Sequence, residues 1–413
     1  MRGCQREAGD TDKRVAGSLL AGSPVSPIRA VAAAGSRVSL LAPSGRFFSG
    51  TTVDAWMYPA VAGSRILATV PPGHLDDPLL RTARRVLMVG VTDDGDAPGL
   101  FGMDARLARC RLTGGSKKAR LVIPQAYALD DVTSGIVWAV ANMDEALLAD
   151  DAALDGCRRQ ATGYTHLPRS AVSRDIADGL DTVSQMWLGS AFCAGHILRH
   201  ARDFGDAPVF WTREQRGEEA SAWLLFAHKY AYLAALAGRD PRTESSRVLC
   251  VPPDTVTSSP GPERILLLLA VALMESFGIH VEVCPDLDYA AVGGFVLDPR
   301  RRAVVANWVD ADGIWHVDIT DNRTAMREYA DACGYARAHS VISASASAPR
   351  LHALADYLDL DWPWMVQRCA ELGEYGCTGL VAPHSRLLSL AGVDRACRYL
   401  GALDRSATRT SAT

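Results

Sequence analysis

The sequence predicts an α+β fold, and three observations carry that expectation. Residues 262–320 place a strongly apolar helix before three short β-rich runs. Short β-rich runs bounded by Gly and Pro also cluster between residues 47 and 124. Between these regions, and again after residue 320, apolar residues recur at three- and four-residue spacing, the period of an amphipathic helix.

Residues 1–45 are rich in Gly, Ser, Ala and Arg, lack either periodicity, and are expected to be a disordered leader. Residues 46–125 are expected to form a small β-rich module. Strands are predicted over 65–70, 85–91 and 120–124, a turn at Asp93-Asp94-Gly95-Asp96, and a short helix over 104–110. Residues 126–245 make a helical region. Val132, Ile136, Val137, Val140 and Met143 form one stripe over 130–149, and helices are predicted over 150–163, 173–179 and 184–202. Thr212 and Gln215 match a capping box, so a further helix is expected from Thr212 to Gly238.

Residues 246–345 form the expected α+β core. Its helix closes at Gly278, and its β runs are punctuated by Pro285-Asp286, Asp298-Pro299 and Asp312-Gly313. Residues 346–404 are a C-terminal helical piece, with helices over 349–358, 362–372 and 389–400 and a short β run at 378–382. Residues 405–413 are expected to be a disordered tail.

At 413 residues, with 48% hydrophobic and 22% charged side chains, the chain can bury a substantial core. A net charge of −4 and a pI near 6.2 exclude a global pull toward nucleic acid or anionic membrane and leave room only for a local basic face. Ten cysteines run from Cys4 to Cys397 without a CxxC pair, the pattern of reduced, mostly buried thiols in a cytoplasmic protein. The longest apolar run, residues 265–274, has ten residues, whereas a bilayer crossing needs about 20. No signal-peptide core follows the N-terminus. The expectation is a cytoplasmic protein with no membrane partner.

Cys193, His196 and His200 are the sharpest chemical constellation. At 100° per residue they fall within roughly 60° of one another on a helix. Thiolate and imidazole are ligands that zinc prefers, and three such ligands plus water make an open site. Zinc is therefore the candidate cofactor and a metal-dependent enzyme the corresponding reading. The alternative is a buried helix in which the cysteine acts as a small hydrophobe and the histidines hydrogen-bond locally. Glu214, Glu218 and Glu219 could do acid–base work, but near a helix start they read as caps. Arg300-Arg301-Arg302 sits in a predicted hairpin turn and reads as a solvated loop tip. The chain has no GxGxxG, Walker A or GxSxG motif, so no reaction is set by a motif, and no catalytic residue is assigned.

From Trp364 to Leu400 the order is helix, Gly-Glu-Tyr-Gly turn, β run, and Leu387-Leu388-Ser389-Leu390-Ala391-Gly392-Val393 opening a last helix. This stretch resembles the back half of a winged-helix domain. The resemblance implies DNA contacts from Arg386, Arg395 and Arg398, with His384 near the wing.

A wider resemblance covers residues 47 to about 400. FFSGTTVDAWMYP, YALDDVTSGIVWAVANMDEALL, SRDIADGLDTVSQMWLGSAFCAGHILRH, FWTREQRGEEASAWLLFAHKYAYL and PERILLLLAVALMESFGIHVEVC carry it. They resemble actinobacterial proteins labelled XRE-type (helix-turn-helix) transcriptional regulators. The residues before Phe47 lack two periodic helices joined by a Gly turn, so the family's N-terminal helix-turn-helix is not recognisable here. The segment from the apolar helix through FGIHVEV to AVVANW is similar to the front of ImmA/IrrE-type metallopeptidase domains, without the His-Glu-x-x-His helix.

The resemblance implies a non-enzymatic regulatory protein linked to transcription, with DNA as partner, bound directly or through another protein, and an effector the residues do not name. The alternatives are the metal-dependent enzyme at Cys193, His196 and His200, and a protein-interaction module that binds no DNA.

Overall fold

The computed structural model describes residues 17–18, 35–71, 74, 85–93, 98–112, 119–205, 207–237, 245–309 and 314–410. The chain divides into two compact units. One comprises residues 1–43 and 51–129, the other residues 44–50 and 130–413.

The smaller unit holds β1 (Gly17–Ser18), β2 (Arg37–Ala42), β3 (Thr51–Val61), β4 (Ile66–Val70), β5 (Val86–Val91), β6 (Leu100–Asp104), α1 (Ala105–Leu112) and β7 (Ala119–Ile123). Its sheet runs β1-β2-β3-β4-β7, with β5 beside β3 and β6 beside β5. All six residues of β5 are buried. That is the pattern of a central strand covered on both faces. Strand β2 falls inside the segment expected to be a leader; residues 1–16 and 19–34 of that segment lie outside the described residues.

The larger unit begins with α2 (Asp131–Ala149), α3 (Asp151–Tyr164), β8 (Ser170–Ser173), α4 (Thr182–His200), β9 (Val209–Thr212), α5 (Gly217–Leu225) and α6 (Ala227–Ala237). It continues through β10 (Ser246–Cys250), α7 (Pro253–Ser258), α8 (Gly261–Ser276), β11 (His280–Cys284), β12 (Phe295–Asp298), β13 (Arg302–Asn307) and β14 (Ile314–Thr320). Four helices close it: α9 (Arg323–Ala338), α10 (Ser347–Tyr357), α11 (Trp362–Tyr375) and α12 (Ala391–Thr410). With helices and two sheets together, the chain is α+β, as its sequence predicts.

The larger unit's sheet runs β11-β10-β9-β12-β13-β14-β8. Strands β9, β10 and β11 are parallel, and the other pairings are antiparallel. Because side chains alternate across a strand, each strand serves two faces. Val209, Trp211, Val248, Cys250 and Phe295 pack with Ala332, Cys333 and Ala336 of α9. The alternating residues Phe210, Thr212 and Arg247 line a cavity with residues of α4, α5 and α6. Helix α8 is buried along most of its length and contacts α2, α5, α10 and α12. Gly278, with φ +76°, ends it, and its N–H donates to the Glu275 carbonyl at 2.9 Å.

Several elements depart from the sequence reading. Thr212 ends strand β9 rather than opening a helix, and α5 starts at Gly217. The start is capped instead by Glu219, whose Oε2 accepts from the backbone N–H of Gln215 at 2.7 Å. The expected continuous helix to Gly238 breaks at Phe226, which bridges to Leu388. Residues 170–173 form β8 and 174–177 one 3₁₀ turn where a helix over 173–179 was expected. No strand forms over 378–382. Gly376 takes φ +73°, Cys377–Gly379 make a 3₁₀ turn, and the Cys377 N–H is held by the Asp394 carboxylate at 2.8 Å. That chain path leaves no hairpin to serve as a wing. Helix α12 runs to Thr410, into the segment expected to be a tail. Among the described residues, no helix is long and apolar enough to cross a membrane.

Candidate functional site

The larger unit carries a half-open cavity of about 60 Å³ on the sheet face opposite α9. Each wall comes from a different element: Arg247 from β10, Thr212 from the end of β9, Glu214 from the loop that follows, Lys229 from α6, Trp223 from α5 and Cys193 from α4. Thr212 and Glu214 lie at and just past the carboxyl end of β9, whereas Arg247 stands near the amino end of β10, so the cavity lies on the face of the sheet.

Charge is concentrated here and withheld from solvent. Lys229, Glu214 and Arg247 expose only 2%, 3% and 3% of their surface. Lys229 Nζ donates to Glu214 Oε1 at 2.6 Å and lies 3.8 Å from the Trp223 ring centroid. Burial pushes the Lys229 pKa below the usual ammonium range, and Glu214 opposes that shift. Arg247 Nη1 donates to Thr212 Oγ1 at 2.7 Å. Its guanidinium carbon lies 4.5 Å from the Trp223 centroid and 5.0 Å from that of Phe210. Arg247 Nε and Nη2 and Trp223 Nε1 are buried and meet no hydrogen-bond partner among the described residues.

Behind this wall, Ser190 Oγ and His228 Nε2 are 2.9 Å apart. A serine beside an imidazole is the geometry of a nucleophile and its base. Here His228 Nδ1 is buried without a partner, so no carboxylate orients the ring. Burial, with Lys229 nearby, lowers the His228 pKa to about 3. The imidazole is a weak base held against the Trp187 ring, and the pair reads as packing.

The expected zinc site does not assemble. Cys193 lines the cavity, where burial pushes its thiol up, away from the thiolate a metal requires. His196 meets His200 edge-on, ring centroids 5.0 Å apart, and its Nδ1 lies 3.0 Å from the Arg199 Nη2 donor. A guanidinium on the imidazole lone pair repels a cation. Burial first, then His200 and Arg199, lower the His196 pKa to about 4. Sharing a helix face brings His196 and His200 into contact, but Cys193 lines the cavity, which neither histidine does. Among the described residues, no group of three or more His, Cys, Asp or Glu side chains could hold a metal ion.

The glutamates are structural. Glu218 accepts three backbone N–H groups, from Arg46, Phe47 and Phe48, at 2.6–2.9 Å. The arginines implied as DNA contacts are engaged within the unit. Arg395 donates to Ser276 Oγ and its carbonyl at 2.7 and 2.6 Å, and covers the Phe277 ring at 3.8 Å. Arg386 pairs with Asp151 and Asp155 at 3.3 and 2.8 Å and is half exposed. Arg398 Nε donates to the Asp394 carbonyl at 3.1 Å, beside a groove between α11 and α12.

Sequence reasoning passed over Arg247 and Lys229. The signal was a lone cation inside an otherwise apolar strand, SRVLC, and another inside an apolar helix, AHKYAYLAALA. Buried charges of this kind are retained only with partners. The chain matches no protein-family model, no curated protein and no solved structure.

Proposed function

We propose that this chain is a non-enzymatic regulatory protein whose larger unit binds a small effector in the Arg247 cavity. The carrying observation is the half-open, charged cavity itself: three buried ionisable side chains from three elements line it, and donors on two of its side chains lack partners among the described residues. The reactive groups beside it are held in unreactive forms, Cys193 as thiol and His228 as a weak base. That favours recognition over chemistry. The link to transcription rests on the resemblance to XRE-type regulators, and DNA is the partner it implies, directly or through a second protein.

The engagement of Arg395 with Ser276 and Phe277 points the DNA-contact reading toward the more exposed Arg386. The test is capture of genomic DNA by purified protein at low and moderate salt. Retention at low salt that falls at moderate salt supports the reading, since phosphate contacts release counterions. Arg386→Ala then weakens retention, while Arg395→Ala lowers stability first. If no DNA is retained at low salt, alone or with lysate proteins added, the transcription link fails.

A further inference from the structure

We infer that the effector held by this cavity is a small planar oxyanion, a carboxylate or an isostere of one, seated edge-on against Arg247. The inference rests on the reading of the cavity as an effector site and names the ligand class.

A guanidinium offers parallel N–H donors along its edges. With Nη1 given to Thr212, the remaining edge is Nε and Nη2, both buried and unpartnered. Two parallel donors at that spacing match the two oxygens of a carboxylate. The guanidinium carbon packs over two aromatic rings, Trp223 at 4.5 Å and Phe210 at 5.0 Å, which restrict how the fork can move. Trp223 Nε1 adds a third unpartnered donor on the cavity wall.

The charge balance points the same way. Glu214 is committed to Lys229 at 2.6 Å, so that pair is neutral as a unit. Arg247 has no carboxylate within ion-pair distance among the described residues, although 97% of its surface is buried, the complement of its 3% exposure. A buried cation with two free donors is costly unless something satisfies it. An anion does so with two charge-assisted bonds. The cavity's 60 Å³ corresponds to roughly four to six waters, given about 10–15 Å³ for each. That is room for an anion of a few non-hydrogen atoms.

The test uses the full-length protein at constant ionic strength, with formate, acetate, bicarbonate, sulfate and acetamide as probes. Titration calorimetry and thermal melting report binding, and mass spectrometry of denatured protein reports any compound that co-purifies. Formate, acetate or bicarbonate is expected to bind and raise Tm, whereas acetamide, the neutral isostere of acetate, is not. Arg247→Lys keeps the charge and loses the fork, and should weaken binding about 10- to 100-fold. Arg247→Met should abolish binding while leaving the ligand-free Tm unchanged or higher, because a buried charge gives way to an apolar side chain of similar length.

Binding of acetamide equal to acetate, or Arg247→Lys binding as tightly as the parent, overturns the fork. So does a preference for tetrahedral sulfate. A co-purifying compound with no acid group overturns the ligand class and leaves the effector reading standing. If no probe binds and nothing co-purifies, both fail.

Discussion

At the scale of single residues, several ionisable groups in the larger unit's interior have been taken out of water with a partner. The Lys229–Glu214 pair is the clearest case, at 2.6 Å with both side chains nearly enclosed. Removing one partner leaves the other charged and buried. Lys229→Met is therefore expected to cost about 3–5 kcal/mol in urea unfolding. The double variant Lys229→Met with Glu214→Gln should recover much of that loss, because neither charge is then stranded. Equal losses in the single and double variants would show that the ammonium's contacts with the Trp rings, rather than the ion pair, carry the effect. The histidines set a pH dependence of definite sign. In the unfolded chain a histidine takes up its proton near 6.5; folded, His196 does so only near 4 and His228 near 3. The unfolded state thus binds more protons from about pH 6.5 downward. Stability should be full above that value and fall as the solution is acidified toward pH 4. In thermal melts, His228→Gln should make this decline shallower; an unchanged slope would remove His228 as its source. Little of this was legible in the sequence. Cys193, His196 and His200 stood out because zinc-ligating residue types shared a helix face, whereas Arg247 and Lys229 carry no motif. Their significance comes from which side chains of other elements surround them, and helical spacing holds no information about that.

At the scale of elements, close packing between helices depends on glycines at the contacts. A Cβ on Gly217 would lie 1.8 Å from the Glu263 carbonyl oxygen, so the start of α5 rests directly on the backbone of α8. Gly392 meets Leu224 in the same way at 2.4 Å, and Gly401 meets Ala370 of α11 at 2.4 Å. In each case the obstacle is backbone, which cannot rotate aside. Gly217→Ala should therefore cost about 3 kcal/mol or more, beyond the usual range for overpacking. Gly156→Ala, on a half-buried turn of α3 where nothing lies within 4 Å of the added Cβ, should be neutral or slightly stabilising. Chemical denaturation of the two variants separates a packing origin from a general intolerance of alanine. Most elements were readable from local pattern, because periodicity and punctuation are properties of the elements themselves. The apolar α8 with its Gly278 stop, the strands that follow it and α2 all lie where their residues suggest. Two of the misreadings share a cause. Thr212 and Ser170 begin or end short strands of four residues, and those strands exist because the central sheet recruits them at β9 and β8. Pairing of that kind is a long-range event, and near Thr212 the local capping pattern argued for the wrong element.

At the scale of the whole molecule, the chain order and the compact units do not coincide. Residues 44–50, between β2 and β3 of the smaller unit, belong with residues 130–413. The reason is chemical. The backbone of Arg46, Phe47 and Phe48 presents three N–H groups to Glu218, a carboxylate that exposes only 1% of its surface. The Phe48 ring, nearly all buried, meets Trp138 of α2 edge-on at 4.8 Å. The Gly50 N–H donates to Asn142 Oδ1 at 3.0 Å. A chain of residues 130–413 alone would leave Glu218 without these donors and uncover Trp138. Three hydrogen bonds to one carboxylate, each of the charged class worth about 1.5–3 kcal/mol, are comparable with the whole stability of an ordinary domain. Such a fragment is expected to melt well below a version in which residues 44–50 are joined to Asp130 through a short Gly/Ser linker. Near-ultraviolet circular dichroism should show fixed aromatic packing in the linked version and its loss in the shorter one. Glu218→Gln in the full chain gives an independent reading, since it weakens the same contacts without removing Phe48. If the two fragments melt alike and Glu218→Gln is silent, the segment is a passing strap. If both are destabilised, seven residues from the N-terminal part of the chain complete the core that carries the Arg247 cavity.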